Sequence, residues 1–110
     1  MRSWYPIAPE QLDRKRLLGE HLELHIMYNV ILKKLRGEKG GYQHHPEVIR
    51  WQHHLPALIQ RHNDIVIEMI NRGYNHKSAL EPIDGDIVWP NVIEPLDVML
   101  KKLQDKIMGA

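Results

Sequence analysis

The chain has 110 residues, 43% of them hydrophobic and 26% charged, with a formal net charge of +1. That balance excludes a disordered chain and allows one modest core rather than two. Cysteine is absent, which excludes disulfides, zinc–thiolate centres and thiol catalysis.

No run of about 18 apolar residues is present to span a membrane. The opening Met1-Arg2-Ser3-Trp4-Tyr5-Pro6 lacks the apolar stretch of a signal peptide. A cytoplasmic protein with no membrane partner is therefore expected. Charge is uneven along the chain: residues 1–39 hold eight Lys/Arg against five Asp/Glu, and residues 80–110 three against six. A basic N-terminal part permits an anionic ligand on one face. The plainer alternative is a solvated charged helix.

The first long helix is predicted from Asp13, a good N-cap, to about Arg36. Leu17, Leu24, Met27 or Tyr28, Ile31 and Leu35 follow one helical face. Gly37 suits its end, with Lys33, Lys34 and Arg36 in the last turns where cations complement the dipole. Gly40-Gly41 breaks the chain. His45-Pro46-Glu47 opens a short helix, proline in its first turn, running to Leu55-Pro56. A third helix follows from about Pro56 to Arg72, with Leu58, Ile59, Ile65, Met69 and Ile70 on its apolar face and Gly73 after its end. Residues 74–88 read as a loop. Trp89-Pro90-Asn91 introduces a last amphipathic helix over 89–108, with Pro95 an alternative first turn. No segment alternates with period two. The expected fold is all-α: one compact domain over 1–110, three main helices plus a short one.

Candidate chemistry concentrates in Arg16-Leu17-Leu18-Gly19-Glu20-His21-Leu22-Glu23-Leu24-His25. His21 and His25 stand four apart, as metal-binding helices require, but Glu23 between them projects about 200° away. Two histidines alone make an incomplete site, so no metal is expected. Glu20 and Glu23 share a face with Arg16 and Met27. They read either as intrahelical ion-pair partners of Arg16 or as carboxylates for acid–base work on a rigid helix. His44-His45 and His53-His54 flank the short helix, near Arg50, Trp51 and His62. They read as phosphate donors or as surface histidines. Trp4, Tyr5, Tyr42 and Trp51 read as stacking surfaces for bases or as core.

Taken in order, several of these pieces resemble the pyrimidine dimer DNA glycosylase (endonuclease V) family. Met1-Arg2-x-Trp4, Pro9 and Leu12-Asp13 look like the start of its cellular members. Gly37 to Pro46 resembles its Gly-x-x-x-Gly-Tyr-x-x-His-Pro loop. Arg72-Gly73-Tyr74-Asn75 resembles the end of its third helix. Leu17 to Leu24 is similar to the phage helix in which a Glu-x-x-Glu-Leu run carries the catalytic glutamate. The resemblance covers roughly residues 1–78.

The resemblance implies an all-α fold with the N-terminus packed between helices, and metal-free, cofactor-free chemistry on double-stranded damaged DNA. It implies that the α-amine of Met1 attacks C1′ of a damaged nucleotide, and that Glu23 moves protons and opposes the growing positive charge. A useful fraction of an ordinary α-amine is neutral near physiological pH. A large residue at position 2 implies that Met1 is retained. Arg2, Arg14, Arg16 and Lys39 become phosphate contacts, with Tyr42, His44 and His45 from the loop as further DNA contacts. Glu20, His21 and Trp4 become supporting residues. Base extrusion from the duplex is implied as well. The chain departs from the phage members where they carry arginines around the glutamate, since Leu22 and Ile26 stand there, and in lacking their aromatic, basic C-terminal tail. Two other readings compete: a non-catalytic nucleotide or nucleic-acid binding module on the same fold, and a helical interaction protein associating through its last helix. A monomer is favoured.

Overall fold

The computed structural model describes residues 1–75 and 78–109. A 3-10 turn, Pro9–Gln11, precedes α1 (Arg14–Leu35), α2 (Pro46–Trp51), α3 (Leu55–Asn71) and α4 (Leu96–Gly109). No strand occurs among the described residues. None of their helices is long and apolar enough to cross a membrane.

Asp13 caps α1 from an extended backbone, as expected, but its side chain caps nothing. Its Oδ2 instead accepts from Arg16 Nη1 at 3.2 Å. The stops of α1 and α3 share one geometry. Gly37 (φ +74°) and Gly73 (φ +82°) adopt the left-handed conformation that costs glycine least. The amide of Gly37 donates to Lys34 O, and that of Glu38 to Lys33 O. Gly73 and Tyr74 do the same to Ile70 O and Met69 O, closing each helix with paired reversed hydrogen bonds. His45 Nδ1 accepts from the Glu47 amide at 3.1 Å and so caps α2.

α2 stops at Trp51, short of the expected Leu55, because the His54 amide turns back to Trp51 O before α3 begins. The last helix starts at Leu96, where the alternative first turn at Pro95 put it, and not at residue 89. Pro90 and Pro95 leave no room for helical hydrogen bonds between them, and Pro95 O accepts from Met99 N at the helix entry. Trp89 stacks on Tyr5 with centroids 4.8 Å apart. The loop expected over 74–88 is non-helical at its described residues; positions 76 and 77 lie outside them.

The core forms where α1 lies on α3. Leu17, Leu24, Met27 and Ile31 recur on one α1 face and meet Leu58, Ile65 and Met69. Leu35 and Ile70, expected on these faces, are exposed at the helix ends. Trp51 and Ile7 fill the core from α2 and the N-terminal run. Met99 and Leu103 attach α4. Tyr28 donates to Glu81 O at 3.0 Å and ties the long loop to α1. The resulting single all-α globule has its N-terminal residues threaded among α1, α2 and α3.

Candidate active site

Three helices hold the N-terminal run. Glu20 of α1 is 2% exposed and accepts four hydrogen bonds. Ser3 Oγ donates to Oε2 at 2.9 Å, the Trp4 amide to Oε1 at 2.8 Å, and Arg61 of α3 donates twice, at 2.7 and 3.0 Å. Arg61 Nη1 also donates to Ile7 O at 2.6 Å. Glu47 of α2 accepts from the Ser3 amide at 2.9 Å and from Arg50 Nη1 at 3.2 Å. A buried carboxylate persists only when its charge is balanced and its lone pairs are filled, and Glu20 meets both conditions. The consequence is positional: residues 3 and 4 are locked, so the α-amine two residues upstream has a defined place.

That place faces Glu23. The Met1 amine stands 3.8 Å from Glu23 Oε1, with the Met1 side chain buried and the carboxylate about one-third open to solvent. The separation describes an ion pair rather than a direct hydrogen bond. Both groups border a cleft of about 420 Å³ whose other walls include Arg2, Trp4, Lys15, Arg16, Gly19 and Lys106. Four cations against Glu23 and the already neutralised Glu20 make this cleft basic. A smaller cleft of about 210 Å³ begins on the other side of Met1 and Arg2 and reaches Glu94 and Met99. Arg2 lies over the Trp4 ring, 4.2 Å from its centroid, and 3.8 Å from Glu94 Oε1; the other carboxylate oxygen, Oε2, binds Lys102 at 2.7 Å.

The expected site residues therefore divide. Met1, Arg2, Trp4, Arg16, Glu20 and Glu23 converge on one cleft. Arg14 stacks on Tyr74 instead, 5.2 Å from the ring centroid. Lys39, Tyr42 and His44 lie exposed on the 37–45 loop, with Tyr42 68% exposed, and none borders the cleft. His45 is engaged in capping α2. Trp51 is fully buried and belongs to the core rather than to a stacking surface. His21 turns from the cleft to α3, where His62 joins it and His25, so the pair read as incomplete has a third imidazole. The intrahelical pairing of Arg16 with the glutamates is replaced by Arg16–Asp13 and Glu20–Arg61.

Lys15 borders the cleft beside Arg16, and Gly19 and Lys106 border it without having been expected there. A Cβ on Gly19 would meet nothing within 4 Å, so this glycine is a gap in the wall and not a packing requirement. Gly19→Ala should raise stability by about 0.8–1 kcal/mol from helix propensity, read in urea unfolding, whereas a bulky side chain there would fill the cleft.

The sequence model of the pyrimidine dimer DNA glycosylase family matches residues 1–82. No curated protein and no solved structure matches the chain significantly. The matched segment contains the N-terminal run, α1, α2 and α3, and ends before α4.

Proposed function

This chain belongs to the pyrimidine dimer DNA glycosylase family, and we propose that it excises damaged pyrimidines from duplex DNA and then nicks the strand, with the Met1 amine as nucleophile and Glu23 as acid and base. The observation that carries this reading is the amine held 3.8 Å from Glu23 at the edge of a basic cleft. In the proposed reaction the neutral amine attacks C1′ while the C1′–base bond breaks, and the base leaves with the electron pair and gains a proton. The amine gives its proton to Glu23. Opening of the sugar ring then produces a protonated imine between the protein nitrogen and C1′, with O4′ leaving on the C1′–O4′ electron pair and taking the proton back from Glu23. Removal of a C2′ proton expels the 3′ oxygen, breaking the strand by β-elimination. Glu23 suits both proton transfers because a rigid helix presents it partly open to solvent and beside the cation it must stabilise.

Arg2, Lys15, Arg16 and Lys106 supply the phosphate contacts in this reading. Binding should weaken linearly in log–log plots against salt, and Lys15→Ala should flatten the slope by about 0.9. A duplex holding a single pyrimidine dimer tests the activity. The native chain should incise it, and a chain carrying extra residues ahead of Met1 should bind it without incision. Equal incision by both chains would remove the amine from the mechanism.

A non-covalent binding module is the second reading. It is favoured by Leu22, 60% exposed beside Glu23, standing where phage members of the family carry arginine. Unchanged DNA affinity in Glu23→Gln with no incision by any form of the protein would select it.

A further inference from the structure

One cluster of chemistry-bearing side chains lies outside the amine–Glu23 site. His21 and His25 stand four residues apart on α1, and His62 approaches from α3. One ring nitrogen from each lies within 4.8 Å of the other two. The ring centroids form a near-equilateral triangle of 4.8, 5.1 and 4.8 Å. His62 is 1% exposed, while His21 and His25 keep partial contact with solvent.

We propose that His21, His25 and His62 bind a late first-row divalent transition ion, Zn²⁺ foremost, in a three-imidazole site that clamps α1 to α3. Histidines at i and i+4 present two ligands from one helix face, and a third from a facing helix completes the set of three protein ligands that leaves a fourth position for water. Tetrahedral zinc with bonds of about 2.0–2.1 Å needs ligand nitrogens roughly 3.3 Å apart. His25 Nε2 and His62 Nε2 are already 3.0 Å apart, and the 4.8 Å limit on the others is within the reach of side-chain rotation.

The surroundings of His62 favour a metal. Its Nδ1 lies 3.0 Å from Asn63 Oδ1. That oxygen only accepts, so it holds the His62 proton on Nδ1 and directs the Nε2 lone pair into the triangle. A polar partner on the far ring nitrogen is the usual means by which proteins orient a metal-binding histidine. Three neutral imidazoles, with no carboxylate among them, suit Zn²⁺, Co²⁺, Ni²⁺ or Cu²⁺ and not Ca²⁺ or Mg²⁺. Partial exposure of His21 and His25 gives the ion an entrance.

The ion would act on position, not on the substrate. Glu23 projects about 200° around α1 from His21. Glu20 and Arg61, which anchor the N-terminal run, each immediately precede a ligand, His21 and His62. An ion joining the two helices would fix the register that the Glu20–Arg61 pair uses. This inference does not depend on the glycosylase reading.

The test uses full-length protein without a histidine tag, stripped with a chelator and titrated with Zn²⁺ in a calorimeter. One ion per chain is expected, with a Tm rise of roughly 5 °C or more in excess Zn²⁺. Co²⁺ should give the intense visible bands of a tetrahedral site. His25→Ala should lose the stoichiometric ion and the Tm rise. Asn63→Ala should bind about 10–100-fold more weakly. The double variant His44→Ala/His53→Ala, which removes two exposed histidines, should bind as the native chain does. Absence of one-to-one uptake by the native protein would overturn the proposal. So would uptake that persists in His25→Ala or disappears in the double variant. The readouts are metal content and Tm, so they stand whether or not the protein incises DNA.

Discussion

Glu23→Gln is expected to lower incision at abasic sites in duplex DNA by about two to four orders of magnitude, the usual worth of a positioned general acid–base group. Glutamine keeps the size of the side chain and removes both its charge and its proton-accepting oxygen. The Met1 amine would then lose its only ion-pair partner among the described contacts, 3.8 Å away. Folding should be nearly untouched, because Glu23 is part-exposed and contributes little as an ion pair. Single-turnover rates together with urea midpoints separate the two effects. A rate within threefold of native would remove Glu23 from the chemistry. An equal fall in stability would mean that its role is structural.

Arg61→Ala should cost about 3–5 kcal/mol, because it leaves the Glu20 carboxylate buried without its counter-charge. That is a large share of the total for a domain of this size. Replacing both partners, as Glu20→Met/Arg61→Met, should recover much of the loss, since a buried pair contributes little net stability over well-packed apolar residues. Activity should not recover. Ser3 Oγ and the Trp4 amide would have lost their acceptor and Ile7 O its donor, so the amine would no longer be held opposite Glu23. Recovered stability with recovered incision would mean that the N-terminal run is positioned by packing of Trp4 and Ile7 alone.

These two glutamates illustrate what the chain discloses before folding. Helical period and caps locate α1, α2 and α3 because those signals are local: proline at the start of α2, and glycine after α1 and α3 at positive φ. Residues 89–95 misled because apolar spacing continues through Pro90 and Pro95, and only the folded chain shows Trp89 leaving to stack on Tyr5. Glu20 and Glu23 are indistinguishable by spacing. Their roles separate through Arg61, 41 residues from Glu20, which claims one carboxylate and leaves the other at the cleft. His62 joins His21 and His25 across a similar gap. Lys106 reaches the Trp4 ring from a helix beyond the family match. Each of these depends on tertiary approach, which no local pattern encodes.

Borohydride trapping tests the central claim most directly. Tag-free protein with its native N-terminus verified by mass would be mixed with duplexes holding either an abasic site or a pyrimidine dimer, then reduced. The expected result is a covalent protein–DNA species on both substrates, attached at the Met1 nitrogen by peptide mapping and lost in Glu23→Gln. No covalent species on either substrate, or one attached at a lysine and insensitive to Glu23, would contradict the account.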